Sequence, residues 1–176
     1  MAILSASRVV LPDRVVAPGL VEVDATGRIV AVEAATGPVE ERTLVPGLVD
    51  LQVNGHEDID VGHAQGPDWE RLDALLIAQG VTAWCPTLVT MPLDRYATPL
   101  RRMAQAADRP GVRPEILGAH LEGPFLGGKP GAHPTGWIVP VDRPWLDALP
   151  DGIAVVTLAP ECPDASEAIA WGVERG

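Results

Sequence analysis

The sequence predicts an α/β protein: the N-terminal half of a (β/α)8 barrel, preceded by a short all-β segment. Three observations carry this. After residue 45, four apolar strand segments alternate with four helical segments, the order of a parallel sheet built by right-handed crossovers. Before residue 45 only short strands and turns occur. Polar and glycine-rich residues gather just after strand C-termini, at Asn54-Gly-His-Glu-Asp58, at Thr87 and Thr90, and at Glu122-Gly-Pro. In (β/α) barrels that edge carries the chemistry. A complete barrel needs eight such units and about 250 residues; this chain of 176 residues offers four units and then ends in a helix.

Each element has a local reason. Leu20–Asp24 and Arg28–Glu33 alternate apolar and polar residues around Ala25-Thr26-Gly27, a hairpin pattern. Ala2–Leu11 is read as a further strand. Three short strands are marginal alone and need a cover for their apolar face. Val49–Val53 is the first strand of the second part. Asp68–Gln79 is an amphipathic helix, with Trp69, Leu72, Leu75 and Leu76 at helical spacing, Asp68 as N-cap and Gly80 as the stop. Val81–Leu88 is the next strand. Pro92–Ala107 is the next helix, opening on a proline. Glu115–Leu121 is a third strand, and Gly123–Val141 a long loop rich in Gly and Pro. Pro144–Leu149 is a short helix, Ile153–Leu158 a fourth strand, and Asp164–Glu174 a final helix. A strand edge at Val49–Val53 and another at Ile153–Leu158 are expected to stay unpaired.

Composition excludes several classes. The net charge is −11, Lys129 is the only lysine, and the arginines are scattered, so no nucleic-acid or anionic-membrane surface is expected. No apolar run approaches the ~20 residues of a membrane span, and the N-terminus lacks signal-peptide character; a cytoplasmic protein is expected. Cys85 and Cys162 make neither a disulfide framework nor a metal motif and read as reduced thiols. There is no Gly-x-Gly-x-x-Gly after the first strand and no phosphate-loop motif.

Three places suit chemistry. In Val45–Gly55, Gln52 and Asn54 stand two apart at a strand end, on one face. Their amides are poor zinc ligands but good hydrogen-bond partners; satisfying backbone at the strand end is the competing role. In His120-Leu-Glu-Gly-Pro-Phe125, Glu122 ends an apolar strand, where a carboxylate is costly unless paired or metal-bound. His120 shares its face, so the two make either metal ligands or a structural ion pair. In Gly131-Ala-His-Pro134, His133 sits on the long loop, suited to substrate contact or simply solvated. His56 and His63 lie among Glu57, Asp58 and Asp60; that acidic turn reads as solvated before it reads as a cation site.

These motifs, in this order and spacing, resemble the N-acetylglucosamine-6-phosphate deacetylases of the amidohydrolase superfamily. The matching pieces are Leu44–Gly55, Gly80-Val-Thr with Pro86-Thr-Leu88, Gly118–Phe125, Gly131-Ala-His133 and Val156–Glu161. The resemblance implies a (β/α)8 barrel beside a small β-sandwich, with residues 1–45 as part of the sandwich and 46–176 as the first four β/α units. It implies hydrolysis of the N-acetyl amide to glucosamine 6-phosphate and acetate, with a divalent metal activating water and polarising the carbonyl. Glu122 matches the carboxylate metal ligand, and Ala132 and His133 a substrate-contacting pair. Gln52 and Asn54 stand where two-metal relatives carry histidines, so one metal is expected: zinc first, with iron or manganese as alternatives. His120 is a further residue lining the site. A homodimer and an amino-sugar phosphate substrate complete the expectation.

The family's two histidine ligands and its acid/base aspartate are expected beyond Gly176. This chain therefore carries no catalytic acid/base residue of its own, and it is expected to be inactive alone. Two other readings are another amide hydrolase of the same superfamily, and a non-catalytic half-barrel that associates with another chain.

Overall fold

The short N-terminal runs pair into two small sheets in the computed structural model, which describes residues 1–175. The strands are β1 (Ala2–Ala6), β2 (Arg8–Val10), β3 (Val15–Val16), β4 (Gly19–Val23), β5 (Ile29–Ala34) and β6 (Thr43–Leu44). One sheet has the antiparallel order β1-β4-β5; the other has the order β3-β2-β6. The β4–β5 turn closes on Asp24, whose carboxylate accepts from the Thr26 and Arg28 N–H groups at 2.8 and 3.0 Å. Bonds from the Thr26 hydroxyl and these amides hold its pKa below the ordinary carboxylate value. Gly27 supplies the positive φ of +86° that this turn requires. Residues from both sheets share one small core of Ala6, Val9 and Val21, flanked by Val16, Val32 and Leu44. Gly19 permits the close approach, because a Cβ there would stand 2.7 Å from Val9 Cγ2. Met1–Gly47 forms one structural unit and Leu48–Gly176 a second.

The second unit is α/β. Its elements are β7 (Leu48–Val53), β8 (Gly55–His56), β9 (Ile59–Asp60), α1 (Asp68–Ala78), β10 (Val81–Val89), α2 (Ala97–Ala107), β11 (Glu115–Ile116), β12 (Ala119–Glu122), α3 (Arg143–Asp147), β13 (Ile153–Thr157) and α4 (Ala165–Arg175). Strands β7, β10, β12 and β13 pair in parallel and in chain order. The order never reverses, so the unit lacks the switch point of a doubly wound sheet. Among the described residues β7 pairs only with β10, and β13 only with β12.

Several boundaries differ from the sequence reading, each for a physical reason. Asp68 is the first helical residue and not the N-cap. Pro67 holds the cap position, while the Asp68 carboxylate turns back to accept from the Gln65 N–H at 3.0 Å. The predicted Pro92–Ala107 helix is a 3-10 turn, Leu93–Arg95, followed by α2. Pro99 has no N–H for the Arg95 carbonyl, so a continuous α-helix fails at that turn, while proline is tolerated near the start of α2. The predicted Glu115–Leu121 strand splits at Gly118. Its φ is +143°, and a Cβ there would lie 2.8 Å from both the Ala154 Cβ and the Gly152 carbonyl oxygen. The acidic turn among Glu57, Asp58 and Asp60 belongs to the small β8–β9 hairpin, in which Gly55 pairs with Asp60 and His56 with Ile59.

The core follows the predicted helical spacing. Trp69, Leu72 and Leu76 of α1 pack with Trp84 and Leu88 of β10, Leu100 and Met103 of α2, and Leu121 and Phe125. Trp69 and Trp84 lie 6.4 Å apart, and Trp145 meets Tyr96 and Phe125 edge-on at 5.1 and 5.7 Å. One charge is buried with this core: Asp73 of α1, held by Arg109 at 2.8 Å. Burial raises the Asp73 pKa, and the Arg109 charge opposes that shift. Removing one partner of a buried pair leaves an uncompensated charge. Arg109→Leu is expected to lower stability by about 2–3 kcal/mol at neutral pH, read from the urea midpoint. Because the native carboxyl binds its proton more readily than the unfolded one, the loss should shrink as pH falls and Asp73 becomes neutral. A loss that grows on acidification would contradict this pairing.

Candidate functional site

Glu122 ends β12, where the sheet opens at its C-terminal edge. Its carboxylate is largely covered, with 21 % of the side chain exposed. Three side chains from other elements converge on the same residue. Asn54, just past β7, donates from Nδ2 to Glu122 Oε2 at 3.3 Å. His133, on the loop after β12, places Nε2 3.6 Å from Glu122 Oε1. Thr90, just past β10, donates its hydroxyl to the Glu122 carbonyl at 3.1 Å and meets His133 Nδ1 at 2.8 Å. Four segments distant in sequence thus deliver an amide, a carboxylate, an imidazole and a hydroxyl to one point. The backbone permits this because Gly123 has φ +85°, and a Cβ on it would collide with Thr90 Oγ1.

His120 takes a different place. Its ring is buried among the strands, with Nδ1 2.8 Å from the Leu51 carbonyl, which can only accept. Nδ1 also lies 3.3 Å from Thr87 Oγ1, and Nε2 lies 2.8 Å from Thr157 Oγ1. Both ring nitrogens are engaged within the sheet, so His120 ties β12 to β7, β10 and β13. Among the described residues it makes no ion pair with Glu122, one of the two roles its shared face suggested. Thr87 completes the tie by accepting from the Val53 N–H at 3.0 Å and donating to the Cys85 carbonyl at 3.0 Å.

The other candidates fall as follows. Gln52 is exposed, and its N–H donates to Asp50 at 3.0 Å; no hydrogen bond joins it to the Glu122 cluster among the described residues. Ala132 is exposed beside His133. His56 bonds Gln79, and His63 lies 3.3 Å from Asp60. Asp58 is held by Arg71 at 2.5 Å, and that bond keeps its carboxyl below the ordinary range. His56, Asp58 and Asp60 of the acidic turn thus have side-chain partners, and Glu57 is exposed. Thr90 is the member that sequence reasoning noted only as a polar residue after a strand. Its signal was position: it follows β10 where Asn54 follows β7 and Glu122 ends β12.

Beside the cluster lies a cleft of about 510 Å³ whose lining includes Asn54, Thr87, Thr90, Arg95, Arg102 and Trp137. That volume falls in the range of small-molecule sites. As a metal centre the cluster is incomplete. No group of three His, Cys, Asp or Glu side chains able to hold an ion occurs among the described residues, whereas catalytic zinc uses about three protein ligands. The described residues do not by themselves fit a bound metal. No helix among them is long and apolar enough to cross a membrane.

No family model matches the chain. It is 34% identical to the N-acetylglucosamine-6-phosphate deacetylase of Vibrio furnissii over 164 residues, which are 86% of this chain and 41% of that protein. It is 35% identical over 153 residues to the N-acetylgalactosamine-6-phosphate deacetylase of Escherichia coli O157:H7, covering 82% of this chain and 41% of the relative. Among solved structures, a Mycobacterium smegmatis N-acetyl-D-glucosamine-6-phosphate deacetylase in complex with N-acetyl-D-glucosamine-6-phosphate superposes with a TM-score of 0.85 and 30% identity, over 99% of this chain and 47% of that one. The chain thus spans less than half the length of these relatives.

Proposed function

We propose that this chain, whose sequence and fold match the N-terminal portion of the N-acetylglucosamine-6-phosphate deacetylases, supplies one side of the site that hydrolyses the N-acetyl amide of an amino-sugar 6-phosphate. The observation that carries the reading is the convergence of Asn54, Glu122 and His133 at the C-terminal edge of a parallel sheet ordered as the chain runs. That order is the first half of a (β/α)8 barrel, and the two N-terminal sheets with their shared core are part of a small β-sandwich. Glu122 is one ligand of a divalent ion, zinc first, whose other ligands come from residues outside these 176. Ala132 and His133 contact the sugar, and the cleft lined by Arg95 and Arg102 suits a small anionic ligand. The glucosamine form is the first substrate to test. The relative named for the galactosamine ester makes its C4 epimer the second. The test is acetate release from each ester. The 176-residue chain alone should release none, because its donor set is incomplete, and turnover by the clean chain would overturn that.

The same reading makes a physical prediction for the isolated chain. Among the described residues the two outer strands β7 and β13 each have one unpaired edge, and Leu48, Val49 and Leu51 of β7 are exposed. Unpaired parallel edges and open apolar surface favour association. Light scattering should show dimers or larger species at micromolar concentration; a monodisperse monomer with a cooperative melt would contradict it.

A further inference from the structure

We propose that the cleft beside the Glu122 cluster binds a phosphate dianion, free or carried by a small ester, through Arg95, Thr98 and Arg102. In a chain with 24 acidic and 13 basic residues, an arginine is expected to find a carboxylate. Arg14, Arg42, Arg71, Arg109, Arg143 and Arg175 each do. Among the described residues Arg95 and Arg102 have no carboxylate or hydrogen-bond partner for their guanidinium groups, and both line this cleft. A guanidinium carries five N–H donors and no acceptor, in a planar fork that matches phosphate oxygens. Two such forks with their donors free are the chemistry of an anion site. A chain of net charge −11 repels anions elsewhere, so local cations are what holds one.

The backbone sets the donors in one row. Arg95 closes the 3-10 turn, Tyr96 keeps helical angles (φ −67°, ψ −32°), and α2 follows. Arg95, Thr98 and Arg102 are thus spaced i, i+3 and i+7, which places them on one helix face. Seven residues advance about 10 Å along the axis, a span that two arginine side chains can close from either end. Thr98 adds a hydroxyl between them, and Arg102 is half-buried, so its charge is partly shielded from water. Asp60 is the one acidic residue in the lining. Its Oδ1 accepts from the Gly62 N–H at 2.7 Å and its Oδ2 lies 3.3 Å from His63 Nδ1, so both oxygens are engaged in their own turn. Exposed Trp137 offers an apolar wall for the organic part of an ester. The phosphate site rests on the arginines alone. That the ester is an amino-sugar 6-phosphate rests on the deacetylase reading.

The test is equilibrium dialysis of the metal-free chain against radiolabelled inorganic phosphate, at a pH of about 8 where phosphate is a dianion, in about 0.15 M salt to screen diffuse charge. Dialysis reads bound phosphate per chain for a monomer or an assembly alike. The wild type should bind one phosphate per chain, saturably. Arg95→Gln and Arg102→Gln should each weaken binding by about 10-fold or more, the effect of losing charge-assisted hydrogen bonds. Arg101→Gln removes the same charge from an exposed position outside the cleft lining and should stay within about twofold of wild type. N-acetylglucosamine 6-phosphate and N-acetylglucosamine are the competitors. Displacement by the ester at lower concentration than unlabelled phosphate assigns the site to the ester; at equal or higher concentration it assigns the site to free phosphate, and either result supports it. No saturable binding up to about 10 mM phosphate would overturn the proposal. So would binding that is equal in all three variants, or displacement by the neutral sugar. Absence of phosphate binding would leave the deacetylase reading standing, and absence of turnover would leave the phosphate site standing.

Discussion

Replacing His120 with alanine should lower the stability of the Leu48–Gly176 unit by about 3–4 kcal/mol. The imidazole joins all four parallel strands, through the Leu51 carbonyl, Thr87 Oγ1 and Thr157 Oγ1. Alanine removes the ring from a buried site and leaves these partners facing a cavity. Each abandoned polar group costs on the order of 1–3 kcal/mol, partly recovered where a threonine rotates, and the cavity adds its own penalty. Against a total of about 5–15 kcal/mol for an ordinary domain, this is a large fraction. His120→Asn should lose about half as much, because the asparagine amide N–H still reaches Leu51 where Nδ1 did. Urea midpoints of the three proteins measure this. An alanine variant within about 0.5 kcal/mol of wild type would show that the ring does not staple the sheet.

Glu122→Gln should have the largest effect on chemistry and almost none on the fold. Glutamine fills the same volume, and its oxygen can still accept from Asn54 Nδ2, as Glu122 Oε2 does at 3.3 Å. What disappears is the negative charge, and with it any cation held at this point. In an enzyme that contains this segment and its remaining ligands, acetate release should fall by more than about 100-fold, since even outer partners of metal ligands cost 10–100-fold. Stability should change by less than about 0.5 kcal/mol. Unchanged turnover would remove Glu122 from the site.

The alternation of strand and helix after residue 45 was legible because each strand is a short apolar run and each helix repeats apolar residues every three or four positions. Trp69, Leu72 and Leu76 lie buried where that spacing puts them. Breaks inside elements were not legible, since Pro99 and Gly118 act through a carbonyl or a neighbouring strand that only the fold supplies. At the site, Glu122 and His133 announced themselves as a polar residue ending an apolar strand and a histidine in a long loop. His120 shows where the pattern stops. Alternation correctly put it on the face of Glu122, but alternation does not tell a ring at the rim from one sunk between strands. The Leu51 carbonyl that captures Nδ1 is 69 residues away in sequence. Thr90 was legible only as a polar residue after a strand, because a hydroxyl acts by its partners, and both of these come from distant segments.

The most direct test of the central claim, that this chain supplies one side of a deacetylase site, is acetate release by a chimera. In it, residues 1–175 replace the corresponding segment of the Mycobacterium smegmatis deacetylase. The account predicts turnover of N-acetylglucosamine 6-phosphate that depends on a divalent ion and is lost in Glu122→Gln. A folded chimera with no turnover, or with turnover indifferent to Glu122, would contradict it.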